Sequence, residues 1–249
     1  MAEKQPTVYF GPVYIRHIEL DHFSCVLRLL RHPNLIFNFE ANDALLDRAR
    51  AKSMTKFLLD TTADVWLTID GDIVFDDAHA LEIAEQAMTH DIVCGQYVTR
   101  SRERCFPTSL QLDDVPVEYA GDPTPVPIKW AATGFLAIHR RVVEKLVQRP
   151  DVQLCHPTEH WRFYSNLFTP FAVDGPNGPI YLSEDYALIE RAREEGFTPY
   201  VNPSVRLLHV GQYAFSLEDS VNPPPDQMAM QFTRKADGRY KIETPELVS

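Results

Sequence analysis

Glycine is scarce in this sequence: 10 of 249 residues, or about 4% where ~7% is usual. Neither a Gly-x-Gly-x-x-Gly turn nor a Walker-type loop occurs. Without a glycine-rich cradle, any phosphate group bound here needs its charge met in another way, a metal ion being the obvious candidate. Basic residues are also in deficit. Twenty-four Lys and Arg face 35 Asp and Glu, giving a net charge of −11, which argues against a nucleic-acid groove or an anionic membrane surface as partner. The four cysteines, Cys25, Cys94, Cys105 and Cys155, form no Cys-x-x-Cys pair and read as reduced structural thiols. No apolar run approaches the ~20 residues that span a bilayer, and the opening Met-Ala-Glu-Lys-Gln-Pro lacks a signal-peptide apolar region. The expectation is a cytoplasmic protein, or one working peripherally at a membrane.

What the sequence does contain is ordinary globular material, 45% apolar and 24% charged. Residues 7–10 read as a first strand, broken by Gly11-Pro12. Residues 15–31 carry Ile18, Leu20, Phe23, Val26, Leu27 and Leu30 at near-helical spacing, and 35–39 form a second strand. Asn42 or Asp43 is expected to cap a helix to about residue 59, burying Leu45, Leu46, Ala49, Met54, Phe57 and Leu58. Asp76 or Asp77 starts another, running to about residue 89, between strands at 65–69 and 91–98. Residues 99–129 read as a long loop with room for a hairpin, 130–138 as a strand, 140–148 as a helix and 150–179 as irregular and aromatic-rich. Ser183 is placed to cap a helix over 184–195 that ends at Gly196, and strands follow at 198–201 and 204–210. Strand–helix alternation predicts an α/β fold, a mostly parallel central sheet with helices on both faces.

The strand Val65-Trp66-Leu67-Thr68-Ile69 ends abruptly in Asp70-Gly71-Asp72. Ionised carboxylates are costly to bury unless paired or bound to a cation. Two of them, separated by a glycine that admits a ligand to the backbone, make a hard-metal site at the strand end where α/β sheets bind ligands. An EF-hand loop is excluded, since its ligand, glycine and glutamate positions hold Val74, Phe75 and Leu81. A haloacid dehalogenase-type phosphatase would carry Asp-x-Asp-Gly-Thr, whereas Asp72 is followed by Ile73-Val74.

Further on come Leu182-Ser183-Glu184-Asp185-Tyr186, with Thr133-Gly134-Phe135 before it and His209-Val210-Gly211 after it. In this order with Asp70-Gly71-Asp72, these stretches resemble the GT-A glycosyltransferases, particularly the large inverting family 2 and its relatives, over roughly residues 7–215. The resemblance implies a single Rossmann-like GT-A domain at 1–215, its donor-binding half at about 7–98 and its acceptor and catalytic half at about 99–215. A polar extension follows at 216–249. It further implies a nucleotide-diphosphate sugar as donor and a carbohydrate, glycolipid or other hydroxyl acceptor. Asp72 and His209 would ligate a divalent cation, Mn²⁺ or Mg²⁺, with Asp70 supporting the metal shell or contacting the donor ribose. Asp185 would be the general base, with Glu184 supporting it or binding an acceptor hydroxyl. Arg50, Gly71 and Gly134 would line the donor, although Ala51 stands where the family has asparagine after the arginine. Trp130, Trp161, Phe163, Tyr164 and Phe168 are candidates to stack on sugars. A retaining transferase, a sugar nucleotidyltransferase and an inactive sugar- or partner-binding module remain as alternatives. The donor base, the sugar, the acceptor and the oligomeric state are left open.

Overall fold

Every side chain of the strand Val65–Ile69 is buried, and their alternation organises the protein. Val65, Leu67 and Ile69 join one apolar cluster and Trp66 joins another on the opposite side of the sheet. A strand buried on both faces needs helices on both. The computed structural model describes residues 5–14, 17–99, 118–119, 121–175, 178–211, 214–215, 231–234 and 240–243.

Seven strands form the central sheet: β1 (Val8–Phe10), β2 (Leu35–Phe37), β3 (Val65–Ile69), β4 (Ile92–Cys94), β5 (Val126–Pro127), β6 (Phe135–His139) and β7 (Pro199–Val201). Their spatial order is β2-β1-β3-β6-β4-β7-β5. β1 pairs in parallel with β2 and β3, and β4 with β7. β6 runs antiparallel between β3 and β4, and β5 antiparallel to β7 at the edge. Five strands thus share one direction. β6 is reversed because the chain returns from the carboxyl end of β4 without a described crossover helix and re-enters the sheet from that same end. Helices α1 (Leu20–Leu29) and α3 (Asp77–His90) cover one face, and α2 (Leu46–Asp60), α4 (Arg140–Leu146) and α5 (Glu184–Glu194) the other. The predicted α/β class stands: a seven-stranded, mostly parallel central sheet with helices on both faces.

Several local expectations change. α1 buries His22, Cys25, Val26 and Leu29, so of the expected stripe only Val26 is inside, while Ile18, Leu20, Phe23, Leu27 and Leu30 face outward. Both stripes have helical spacing, and a histidine able to satisfy both ring nitrogens inside the protein wins. α2 starts at Leu46 with no side-chain cap. Asp43 instead accepts from the Leu45 N–H and binds Arg48 and Lys52, which hold its carboxyl well below the usual range. Asp76 caps α3 as expected, accepting from the Ala78 N–H at 2.9 Å. Residues 150–179 are not irregular throughout. They hold a short strand pair, Leu154–Cys155 with Phe163–Tyr164, and most of a hairpin, Phe171–Gly175 with Gly178–Leu182. Most of the expected loop at 99–129 lies outside the described residues, but Glu118–Tyr119 pairs with Tyr240–Glu243, which pairs with Gln231–Arg234. The part of the chain beyond residue 215 therefore contributes two strands. Among the described residues no helix is long and apolar enough to cross a membrane.

Candidate functional site

The carboxyl ends of β3 and β4, the start of β6 and the first turns of α2 and α5 converge on one rim of the sheet, where open α/β sheets bind ligands. Arg50 is the central charge there. Only 3% of it is exposed. Its Nη2 donates to Asp70 Oδ1 at 3.2 Å and its Nη1 to Glu184 Oε1 at 2.5 Å, tying the end of β3 to the start of α5. Burial opposes the guanidinium charge, but the carboxylates of Asp70, Glu184 and Asp185 outweigh it and hold the group protonated. The arginine expected on α2 is thus a buried clamp, not a solvated helix side chain.

Asp185 sits one residue into α5. Its Oδ1 accepts from the Ser183 hydroxyl and, at 2.9 Å, from the Tyr186 N–H. Ser183 occupies the cap position, but its hydroxyl serves Asp185 and makes no cap bond to the backbone. Burial raises the Asp185 pKa above its ordinary value, against the lowering by Ser183 and Arg50. The helix dipole, which by itself favours the ionised form, does not prevail. Gly134, immediately before β6, faces Tyr97. A Cβ at 134 would lie 2.3 Å from the Tyr97 Oη, so the close approach of this phenol requires glycine. Buried Tyr97 senses Asp70, Asp185 and Arg50, which brings Arg50, Asp70, Gly134, Glu184 and Asp185 into one neighbourhood.

Asp72 and His209 are joined by a second device. Ile73–Val74 pairs antiparallel with Leu208–Val210, with His209 opposite Ile73, and the Val210 N–H donates to the Asp72 carbonyl at 2.7 Å. His209 Nε2 then lies 3.5 Å from Asp72 Oδ2. Its Nδ1 lies 2.7 Å from the Val98 carbonyl, which only accepts, so Nδ1 donates there and Nε2 is the ring nitrogen turned to the carboxylate. Two electron-rich atoms facing each other call for a positive charge, either a second ring proton or a cation. The donor set, one carboxylate oxygen and one imidazole nitrogen oriented by a backbone carbonyl, fits a divalent transition metal that takes its other ligands from substrate and water. Asp70 turns toward Arg50 instead. Among the described residues no group of three or more His, Cys, Asp or Glu side chains is arranged to hold a metal ion, so the expected trio of Asp70, Asp72 and His209 is a pair with a neighbour. Behind them Gly71 packs on Tyr14, whose ring carbon would be 3.0 Å from a Cβ there. The Tyr14 hydroxyl meets His22 Nε2 at 3.0 Å, and His22 Nδ1 donates to the Ile73 carbonyl at 2.7 Å.

Two further polar residues flank this neighbourhood. Gln96 and Thr133 are buried, each next in sequence to one member of the Tyr97–Gly134 contact. Among the described residues neither amide atom of Gln96 nor the Thr133 hydroxyl has a hydrogen-bond partner, and Arg50 Nε shares that condition. The sequence passes over Tyr97, Gln96, Tyr14 and His22, and gives Thr133, within the stretch Thr133-Gly134-Phe135, no role of its own. A signal was available in Gln96-Tyr97, an amide and a phenol set at the end of the apolar run of β4. Of the candidate stacking aromatics, Trp130 and Phe168 are buried. Trp130 donates to Glu190 and stacks on Tyr186. Phe163 and Tyr164 pack against the core. Trp161 is partly exposed but lies beside Arg162, which binds Asp60 at the far end of α2 from Arg50.

No family model matches the chain, and no curated protein matches it. Among solved structures, the chain is similar to A197 from STIV, at 13% identity over 97% of this chain and 96% of that one, with a TM-score of 0.52. What the two share at that identity is a fold. A structure of GalNAc-T7 with UDP, GalNAc and Mn²⁺ aligns at a TM-score of 0.49 and 11% identity, over 86% of this chain and 45% of that one. A 4-diphosphocytidyl-2C-methyl-D-erythritol synthase from Anaerococcus prevotii aligns over 57% of this chain and 78% of that one, at 10% identity and a TM-score of 0.34.

Proposed function

We propose that this chain is a metal-dependent glycosyltransferase that moves a sugar from a nucleotide-diphosphate donor to an acceptor hydroxyl, with inversion at the anomeric carbon. The observation that carries the reading is the arrangement on one rim of a half-buried Asp185 whose pKa is raised, the Arg50 clamp between Asp70 and Glu184, and the Asp72–His209 pair. Burial lifts the proton affinity of Asp185 in the direction a general base requires. In the proposed reaction Asp185 takes the proton of the acceptor hydroxyl as that oxygen attacks the anomeric carbon. The bond from that carbon to the diphosphate oxygen breaks, and the leaving diphosphate keeps the electron pair. Ser183 and the Tyr186 N–H fix the Asp185 carboxylate on Oδ1, which leaves Oδ2 for the acceptor. Arg50 holds Asp70 and Glu184 in place beside it. A divalent cation on Asp72 and His209 would, when bound, neutralise charge on the diphosphate.

The test is thermal unfolding of the protein with UDP, GDP, CMP and dTDP, each with and without Mn²⁺. A ligand that binds only the folded state raises its stability by mass action. The expected result is a rise in Tm with one nucleotide that requires the metal and disappears in Asp72→Ala. No shift with any pair would overturn the reading.

A further inference from the structure

The apolar residues that α1 leaves outside form an ordered surface. Leu20, Phe23, Leu27 and Leu30 are spaced three, four and three apart, which lines them along one side of the helix, and they are 76%, 45%, 48% and 37% exposed. Arg28 and His32 reach Asp77 on α3, so α3 flanks the other side of α1 and the stripe looks toward the β2 edge of the sheet. Among the described residues β2 has no strand beyond it. Phe37 of β2 and the nearby Phe39 are 38% and 49% exposed. They stack on each other, Phe39 lies against Tyr14, and Tyr14 bonds His22 of α1. Phe37 also stacks on Phe10, which packs in the apolar cluster that α1 covers, so helix stripe and Phe37 lie on the same side of the sheet, with Ile18 exposed just before the helix.

We infer that this face is the twofold interface of a homodimer. The exposed fractions of these seven residues, at about 200 Å² for a large apolar side chain, come to roughly 700 Å². That is above the ~300–600 Å² of the largest patch on a typical monomer and close to the ~800 Å² each partner contributes to a standard interface. A twofold axis sets the same patch against itself, so one self-complementary stripe suffices. Charge selects the orientation. Glu19 stands at the start of α1 and Arg31 just past its end, and antiparallel packing of two α1 helices brings the acidic end of each against the basic end of the other. A net charge of −11 disfavours an anionic lipid surface as the alternative occupant.

Sedimentation equilibrium and light scattering of the full chain at micromolar concentration test this. The wild type is expected at twice its 28.5 kDa chain mass, and Leu27→Glu is expected to halve that mass while leaving the circular dichroism spectrum unchanged, since the residue is half exposed. Leu20→Lys, at a still more exposed position, provides a second disruption should Leu27→Glu misfold. Leu59→Glu, an exposed leucine on α2, should leave the dimer intact. A wild type that stays monomeric overturns the inference, whether or not it binds phosphatidylcholine vesicles. So does a dimer that both α1 substitutions leave intact.

Discussion

Replacing Gln96 with methionine is expected to stabilise the free protein, although it removes a polar group beside the candidate site. Gln96 is fully buried, and its amide oxygen and nitrogen both lack partners among the described residues. An unmade hydrogen bond at a buried donor or acceptor costs about 1–3 kcal/mol, because the group has given up water for nothing. Methionine has nearly the same length and flexibility and carries no such penalty, so the packing cost of the exchange is small. A net gain of about 1–2 kcal/mol corresponds, for a chain of this size, to a rise in Tm of roughly 2–8 °C. Thermal unfolding by circular dichroism measures it, with urea unfolding to confirm that the m-value, and so the surface exposed, is unchanged. A fall in Tm would refute the reasoning, since it would mean that the amide is already satisfied, for instance by bound water. If the amide is held unpaired for a sugar hydroxyl, the same variant should bind nucleotide sugar more weakly while binding the free nucleotide as before, which calorimetry resolves.

Arg50→Met strands the carboxylates of Asp70 and Glu184. Removing one member of a buried ionic network costs about 3–5 kcal/mol, and the partial solvent contact of both acids puts the expected loss in denaturant unfolding at the lower end. Gly134→Ala drives a methyl group into the Tyr97 phenol and should cost about 1–3 kcal/mol in the same assay. Asp185→Asn should abolish transfer in a product assay while leaving nucleotide binding nearly intact. Because the folded-state pKa of Asp185 is raised, the native state holds a proton that the unfolded chain releases near 3.8. Wild-type stability should therefore decline as pH rises from that value through the folded one, and the asparagine variant should lack this component. Burial depresses the pKa of His22 below 6.5. The unfolded state then takes up the proton first, so stability should fall as pH drops below about 6.5, with a smaller fall in His22→Phe measured against the same pH series.

The elements that sequence periodicity located well were those whose residues have no alternative. β3 is apolar but for Thr68 and has only the interior to occupy, and α3 announces itself with Asp76. α1 was misread in its facing because two stripes of equal regularity lie on it, and what separates them is a hydrogen bond from His22 to a carbonyl some fifty residues away. No local pattern encodes such a partner. The site divides in the same way. Arg50, Asp70, Gly134, Glu184 and Asp185 were legible as motif positions, and they come together. Tyr97 and Gln96 were not, and Thr133 stood in its motif without a role, because their significance lies in what they do or do not touch across β4 and β6. The pairing of Arg50 with Glu184 spans 134 residues and could be found only in three dimensions.

The reversed position of β6 has a consequence for synthesis. β3 and β4 never touch; each hydrogen-bonds to β6, so the sheet lacks its middle strand until residue 139 has been made, about 45 residues after β4 is complete. At ~5–20 residues per second, two unpaired strand edges wait roughly 2–9 s for the strand that covers them. A fragment ending near residue 98 would leave them uncovered indefinitely. Residues 7–98 and 99–215 thus build one sheet together, and a nascent chain stalled between them would present sticky edges to whatever is nearby.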